Sequence, residues 1–478
     1  MKTTLKSIIT VCALVVSGST LAQNLNSAYF LDGYAYGHEM NPAKEYDRKG
    51  YISFPVLGNI NMAFRGNVGV KDFFYKNPNG SGLVSYLHPS ITSKEAMGAF
   101  HDKNKLLMDA RIDILSVGFH AFKGYNTITL GSRANIGLNV PYELFNLTKN
   151  LTNRNYDISE FGATAIAWGE LALGHSHQVN DAWRVGGKVK FLLGGAYAKM
   201  KMDNLSLDLS NDNQWIANAN ATMEVGVKGF TWGDTETKEY KNQYPGHMTY
   251  QQLDLDNADV DGSGLNGFGM GFDLGVEWDM EKQELVDGLK LSASLLDLGF
   301  ISWSDVAIAQ NKGDAFVFNG FHNIQVSDGP GEPLDEQADD LGDRLSDLYS
   351  LQDGGSGSKT TGLGATLNLA AEYALPSYRH LKFGLLSTTR LQGVYSWNEE
   401  RLAVTLSPAK MFEMSCNVGV GTLGANLGWV INFHPRSFSL FIGSDHCIGK
   451  FSKQMVPLRS NYDFCMGINI PFGKSRIE

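Results

Sequence analysis

The chain has 478 residues and a formal net charge of -10, with 53 Gly, 13 Pro, 11% aromatic and 19% charged residues. The acidic balance and the lack of any Lys/Arg cluster argue against a nucleic-acid partner, because neutralising phosphates takes grouped cations. The length suits about two or three soluble domains, but one large β-barrel accommodates it without a linker.

The N-terminus reads MKTTLKSIITVCALVVSGSTLAQ. Lys2 and Lys6 form a basic start, Ile8 to Val16 a short apolar core, and Thr20-Leu21-Ala22 a small-residue cleavage site. This is the pattern of a secretory signal over residues 1–22. The apolar core is too short to span a bilayer. Cys12 lies inside that core and no Cys stands at the cleavage site, so no lipoprotein anchor is expected. No later run of about eighteen apolar residues appears, which argues against a helical membrane protein.

Residues 23–48 contain NSAYFL and then HEMNPA. Pro42 lacks an N–H and restricts Asn41 to extended or turn geometry. Asn41, Pro42 and Ala43 therefore form a compact turn ahead of the first alternating segment. Two readings exist: a plug folded back into a lumen, or a periplasmic tether leading to the first strand. The plug is favoured, because glycines on the inner face of a wall leave room for it.

From residue 49 the period is two. In WRVGGKVKFLLGGAYAK, Val185, Val189, Phe191 and Leu193 oppose Lys188 and Lys190. In LNGFGMGFDLGVEWDM, the residues Phe268, Met270, Phe272, Leu274 and Val276 oppose Gly267, Gly269, Gly271, Asp273 and Gly275. GLGATLNLAAEYAL, ANLGWVINF and YDFCMGINIPF repeat the pattern. Successive strand residues point to opposite faces, so each segment is oily on one side and polar or glycine-rich on the other. The segments run about nine to fifteen residues, against about five or six in ordinary strands, and a tilted strand needs about nine to eleven to cross a membrane. Trp183, Trp278, Trp303, Tyr395 and Trp397 fall toward segment ends, where rings favour the membrane–water interface. The expected fold is all-β: a transmembrane antiparallel β-barrel over residues 49–478 with about fourteen strands, in a range of about twelve to sixteen. Tight turns such as FKGYN, HQVNDAW, LPSYRH, SWNEE and HPRSF would form one rim. Long loops near 72–104, 141–159, 229–264 and 304–359 would form the other.

Few constellations carry chemistry. NADVDGSGLNGF opens like a calcium loop, but Phe268 stands where the closing Glu belongs. His175 and His177 share a face without a third ligand, so no metal site is expected. PLDEQADDLGDRLSDLYSLQDGGSGS places Leu341, Leu345 and Leu348 at helical spacing, with Asp340 and Asp343 on the other face. It reads as a short amphipathic loop helix, a candidate cap or partner surface. No GxSxG or HExxH appears; neither catalytic residues nor a cofactor site are assigned, and an enzyme is not expected. Cys416, Cys447 and Cys465 follow the signal, an odd number without CxxC spacing. Phase puts Cys465 toward the lumen and Cys416 on the opposite face.

The stretch NSAYFL…HEMNPA resembles the N-terminal segment of FadL-like outer-membrane barrels, and especially their PorV-like relatives from Bacteroidota. NINMAFRGNVGVKDFF, SVGFHAFKGYNTITLGSRANIGLNVPYELFNLTKN and SLLDLGFISW extend the resemblance over most of the first three hundred residues or so. In FadL-type transporters an Asn-Pro-Ala motif lies in the segment that plugs the barrel, which implies the same for Asn41, Pro42 and Ala43. The resemblance further implies an outer-membrane location, contact with membrane lipid, and transport of a hydrophobic or amphipathic small-molecule ligand. Its PorV-like branch implies the alternative, a partner-binding or assembly component acting with secretion-machine proteins.

Overall fold

The computed structural model describes residues 25–152, 154–211, 214–244, 247–311, 316–319, 337, 339, 341–343, 350–447 and 461–475. The expected signal over residues 1–22 lies outside these residues. The main sheet closes on itself as a barrel of 14 antiparallel strand positions.

In chain order the wall strands are β1 (Arg48–Ser53 and Asn59–Gly66), β2 (Lys103–Ala121), β3 (Gly124–Pro141), β4 (Gly162–Gln178) and β5 (Trp183–Met202). Then come β6 (Ala221–Val227 and Gly267–Asp279), β7 (Leu289–Gln310), β8 (Gln352–Gly362 and Ala365–Ala374) and β9 (Leu381–Leu391). The last are β10 (Trp397–Ala409), β11 (Phe412–Gly421), β12 (Gly424–Phe433), β13 (Ser439–Ser444) and β14 (Tyr462–Ser475). The seam closes where β14 pairs with both segments of β1, Ile470 opposite Ile52 and Met466 opposite Ile60. Closure removes the open edges that lipid would leave unpaired.

The rims differ as the turns require. β2 and β3 join through Phe122 and Lys123, both with positive φ (55° and 60°), a hairpin geometry matched to strand twist. β10 and β11 join through Lys410 and Met411 on the same rim. The opposite rim carries the excursions between β1 and β2, β3 and β4, and β7 and β8. The turn expected at SWNEE falls one step earlier: Gly393–Tyr395 makes the turn, and Trp397 already starts β10.

The strands are longer than the alternation suggested. β5 has 20 residues and β7 has 22. At about 3.3 Å per residue β7 runs roughly 70 Å, more than a tilted crossing uses, so the wall continues past the membrane on the long-loop side. The loop expected at 304–359 shrinks accordingly, because residues 304–310 and 352–359 are strand. The register between β7 and β8 shifts at Trp303/Val306, and that shift breaks the simple alternation.

The outer face is apolar: Phe268, Phe272, Leu274, Leu369, Leu402 and Val418 are all exposed. Trp183 and Trp278 stack at 5.0 Å beside the short-turn rim, where an interface pair belongs. Trp303 and Trp397 do not join them. Trp303 is 0% exposed, stacks on Tyr197 and donates Nε1–H to Thr361 Oγ1 at 2.9 Å. It stands an odd number of positions from outward Phe300 and therefore points inward. Trp397 is buried under Arg65, and Tyr395 lies against Gly137 on the inner face of β3.

One stretch of outer wall is covered. Ala134, Ala165, Ala167 and Ala198 have the opposite phase to the lumenal residues of their strands, yet they are buried. Phe230, Trp232, Leu253 and Leu255, from the excursion that interrupts β6, pack with them in one cluster. Small side chains give that excursion a smooth surface to lie on.

Candidate functional site

Residues 25–47 lie inside the barrel. They form two single-turn 3-10 segments, Asn26–Ala28 and Gly37–Glu39, joined by irregular backbone. Tyr29, Tyr34, Tyr36 and Tyr46 from this segment pack with Tyr51, Tyr125 and Phe441 of the inner wall. Their rings meet mostly edge to face, Tyr34 on Phe441 at 5.0 Å and Tyr36 on Tyr51 at 5.3 Å. Such contacts add to the area buried.

The Asn-Pro-Ala turn is bound by its backbone. Asn41 Oδ1 accepts from Ala43 N–H at 2.9 Å, closing the turn, and Asn41 Nδ2 donates to Val276 O on β6 at 3.2 Å. Met40 O accepts from Ser294 and Asn368, and Ala43 O from Ser176. Two wall glycines make room. A Cβ on Gly275 would sit 2.1 Å from Asn41 Oδ1, and one on Gly186 2.2 Å from Pro42 O. The glycine face of β6 is thus the seat of the turn.

The start of the segment is held by the late strands. Asp445 accepts from Asn26 N–H at 2.8 Å, Ser27 N–H at 2.7 Å and Ser27 Oγ at 2.5 Å. Gly33 N–H donates to Glu413 and Gly33 O accepts from Asn432. Lys382 pairs with Asp32 at 2.7 Å.

The segment also carries a charge into the lumen. Glu39 meets Arg111 at 2.6 Å and Lys188 at 2.8 Å, and Arg111 continues to Asp113 at 2.8 Å. Burial alone would push the Glu39 carboxyl up, but Arg111 and Lys188 outweigh it and hold the group well below the usual carboxylate range. Beside it His38 Nε2 and the Tyr51 hydroxyl lie 2.7 Å apart. Burial, helped by Lys188, pushes the His38 imidazole down to about 4, so it is neutral at pH 7.

Deeper toward the long-loop mouth, a second ionic cluster spans the wall. Arg133 grips Asp297 with both nitrogens, at 2.6 and 2.8 Å, and reaches Glu170 at 3.3 Å. Lys190 bridges Asp273 and Asp297, each at 2.7 Å. Asp297 occupies a β-bulge with φ 58°, a left-handed conformation that Asp tolerates better than most residues. The bulge turns its side chain into the lumen. Beyond this band the inner wall becomes apolar, with Ile166, Trp168, Leu192, Ile301, Trp303 and Val306 in one cluster. From short-turn rim to long-loop rim, the lumen on this side is layered: the aromatic N-terminal segment, the ionic band, the apolar ledge.

Of the residues singled out from sequence, Asn41, Pro42 and Ala43 come together against β4, β5 and β6. Leu341 and Asp343 are helical; Asp340, Leu345 and Leu348 lie outside the described residues. His175 and His177 stack at 6.1 Å on an exposed strand end. Among the described residues no His/Cys/Asp/Glu group is arranged to hold a metal. Cys465 is buried, whereas Cys416 and Cys447 are exposed, and all three are free. Sequence reasoning missed Glu39, Arg111, Arg133 and Asp297. The available signal was a charged residue on the glycine side of an alternating strand, as at Lys188, Lys190 and Asp273.

A family of unknown function, DUF5723, has a model that matches residues 42–445. No curated protein matches the chain. Among solved structures, the P. putida toluene transporter TodX is 8% identical, with 97% of this chain and 98% of that one covered and a TM-score of 0.37. The CymD monoaromatic hydrocarbon channel is 9% identical, with 98% of each chain covered and a TM-score of 0.42. A Pseudomonas aeruginosa FadL homologue is 10% identical, with 95% and 100% covered and a TM-score of 0.37.

Proposed function

Because the chain belongs to the DUF5723 family, to which no function is attached, its role has to be argued from the barrel, and we propose that it is a plugged outer-membrane channel for hydrophobic or amphipathic small molecules. The observation that carries this reading is the apolar ledge of Ile166, Trp168, Ile301, Trp303 and Val306, which lies beyond the ionic band on the inner wall. Two tryptophans in that ledge give it a large apolar area that small ions do not use. These side chains are closed over here, at 0–7% exposure, so an apolar solute reaches them only when neighbouring groups shift, and then gains about 25 cal/mol per Å² as its surface leaves water. The plug, with Asn41–Ala43 seated on wall glycines, keeps the pathway shut to bulk solute until it shifts.

Two measurements test the proposal. The outer-membrane fraction, run on a gel with and without boiling, should contain a heat-modifiable form of the protein. Purified barrel in liposomes should speed entry of a small aromatic hydrocarbon over an equally sized polar solute, and Trp303→Ala with Ile301→Ser should reduce that preference. Equal rates for both solutes, in a barrel that shows folded mobility, would sink the transport reading. The alternative, a partner-binding component of a secretion system, draws no support from the described residues.

A further inference from the structure

On the inner face of β1, at the long-loop mouth, Arg65 is 2% exposed. Its guanidinium lies over the Trp397 ring, 4.5 Å from the centroid. No hydrogen bond or ion pair reaches it from another described residue, and its Nε and Nη1 are buried and unpaired. Three other lumenal arginines behave differently: Arg111, Arg133 and Arg401 each end on a carboxylate, and Arg48 donates to the His434 carbonyl. A buried guanidinium keeps its full charge, since it does not deprotonate, and a buried charge calls for an acceptor.

The carboxylate that lines the same void, Glu399, makes no hydrogen bond or ion pair to Arg65. Glu399 shares a narrow void with Arg65 but is already engaged, accepting from Arg401 Nε and Asn426 Nδ2, each at 2.8 Å. His446 also faces this void, 3.7 Å from Glu399 and 3.6 Å from Asp463. The void holds about 10 Å³, and it shares Gly421, Leu423 and Gly424 with an adjoining cavity of about 310 Å³. The larger space is lined by polar groups, Asn67, Lys71, His101 and Asn461 among them. Lys71 and Asp72 pair there at 3.1 Å, so Arg65 is the cation left over.

We propose that Arg65 anchors an oxyanion site at the long-loop mouth: a carboxylate or phosphate oxygen of the ligand enters the narrow void, and the rest of the ligand occupies the larger cavity. Charge and donor count favour an anion over a neutral acceptor, because charge-assisted hydrogen bonds to a guanidinium are the stronger kind. Trp397 holds the guanidinium flat and fixes the direction of its free donors. The polar lining selects a hydrophilic group, unlike the apolar ledge deeper in the lumen. The site stands independently of the transport reading.

The test is calorimetric titration of folded barrel in detergent, at constant ionic strength, with inorganic phosphate, acetate, octyl phosphate and glycerol. At least one oxyanion should bind saturably and glycerol should not. Arg65→Gln should weaken that binding at least about tenfold, the size expected for a lost charged hydrogen bond. Arg379→Gln, at the opposite rim, should leave it unchanged. Binding of octyl phosphate without inorganic phosphate supports the same site and assigns its ligand to an amphiphile headgroup; binding of inorganic phosphate or acetate assigns it to a free anion. If Arg65→Gln fails to give folded gel mobility, the wild type decides: the binding oxyanion should raise its unfolding midpoint above that in chloride of equal ionic strength. The proposal is overturned if no oxyanion binds saturably, if glycerol binds equally well, if Arg65→Gln binds unchanged, or if that midpoint does not move.

Discussion

At the scale of single residues, Gly275 and Asn41 make one contact that neither could make alone. Any side chain at 275 meets Asn41 Oδ1 and Pro42 Cδ, at 2.1 and 2.8 Å from its Cβ. Gly275→Val is therefore expected to unseat the turn at a cost of about 1–3 kcal/mol, the range for overpacking. Protease cleavage between residues 25 and 47 should rise while the barrel keeps its folded mobility. Asp297→Asn isolates charge from backbone, because Asn also tolerates the positive φ. It leaves Arg133 and Lys190 short of a carboxylate, and breaking a buried pair costs about 3–5 kcal/mol. The urea midpoint of the folded form should drop accordingly, and an unchanged midpoint would mean that Glu170 and Asp273 suffice. His38 gives the plug a pH response. Its folded value of about 4 lies below the ordinary 6.5, so a released plug takes up a proton over that window and the seated one does not. Stability is lost as pH falls from 6.5 through 4, by about 3 kcal/mol at most. The depressed Glu39 carboxyl acts in the same direction below its ordinary range. Protection factors of the amides in residues 25–47, corrected for the intrinsic slowing of exchange at lower pH, should fall between pH 7 and pH 4.5, and His38→Gln should flatten the upper part of that profile.

At the scale of elements, the two faces of a wall strand obey different rules. Phe272 faces outward mid-wall and Asp273, its neighbour, faces the lumen. Phe272→Arg is expected to cost about 2–4 kcal/mol, the range for a cation at the bilayer midplane, read as a lower urea midpoint for folding into vesicles. The faces of β5, β6 and β8 were legible in the sequence, because there a polar lumen opposes lipid and the period of two is clean. Strand ends were not. The bulge at Asp297 moves the phase by one, so Trp303, an interface anchor by position, proves to be a lumenal ring, and the register shift between Trp303 and Val306 moves the phase again. The alanine-lined wall under Phe230 and Trp232 was hidden for a related reason: small apolar residues facing out look the same whether lipid or protein covers them.

At the scale of the whole molecule, the barrel, its closure and its asymmetry of rims follow from strand length, glycine content and turn spacing, which are global properties of the chain. The turn-forming potential of Asn41–Ala43 was legible too. Its seat was not, because Gly186, Gly275, Ser176, Ser294 and Asn368 reach it from sequence distances of 133 residues and more. The ionic band escaped notice for the same reason: Arg133 and Asp297 lie 164 positions apart, and no local pattern joins them.

The anchorage of the plug also imposes an order in time. Residues 25–47 precede every wall strand, yet Asn26 and Ser27 hang from Asp445, and Gly33 hangs from Glu413 and Asn432. A segment made early thus waits for partners made late, as β1 waits for β14. A growing sheet that has reached only β10 offers that segment half a seat and no enclosure. Seating residues 26–33 therefore depends on the last third of the chain, and a chain cut before β11 would keep most of the wall strands while losing the groups that hold this segment.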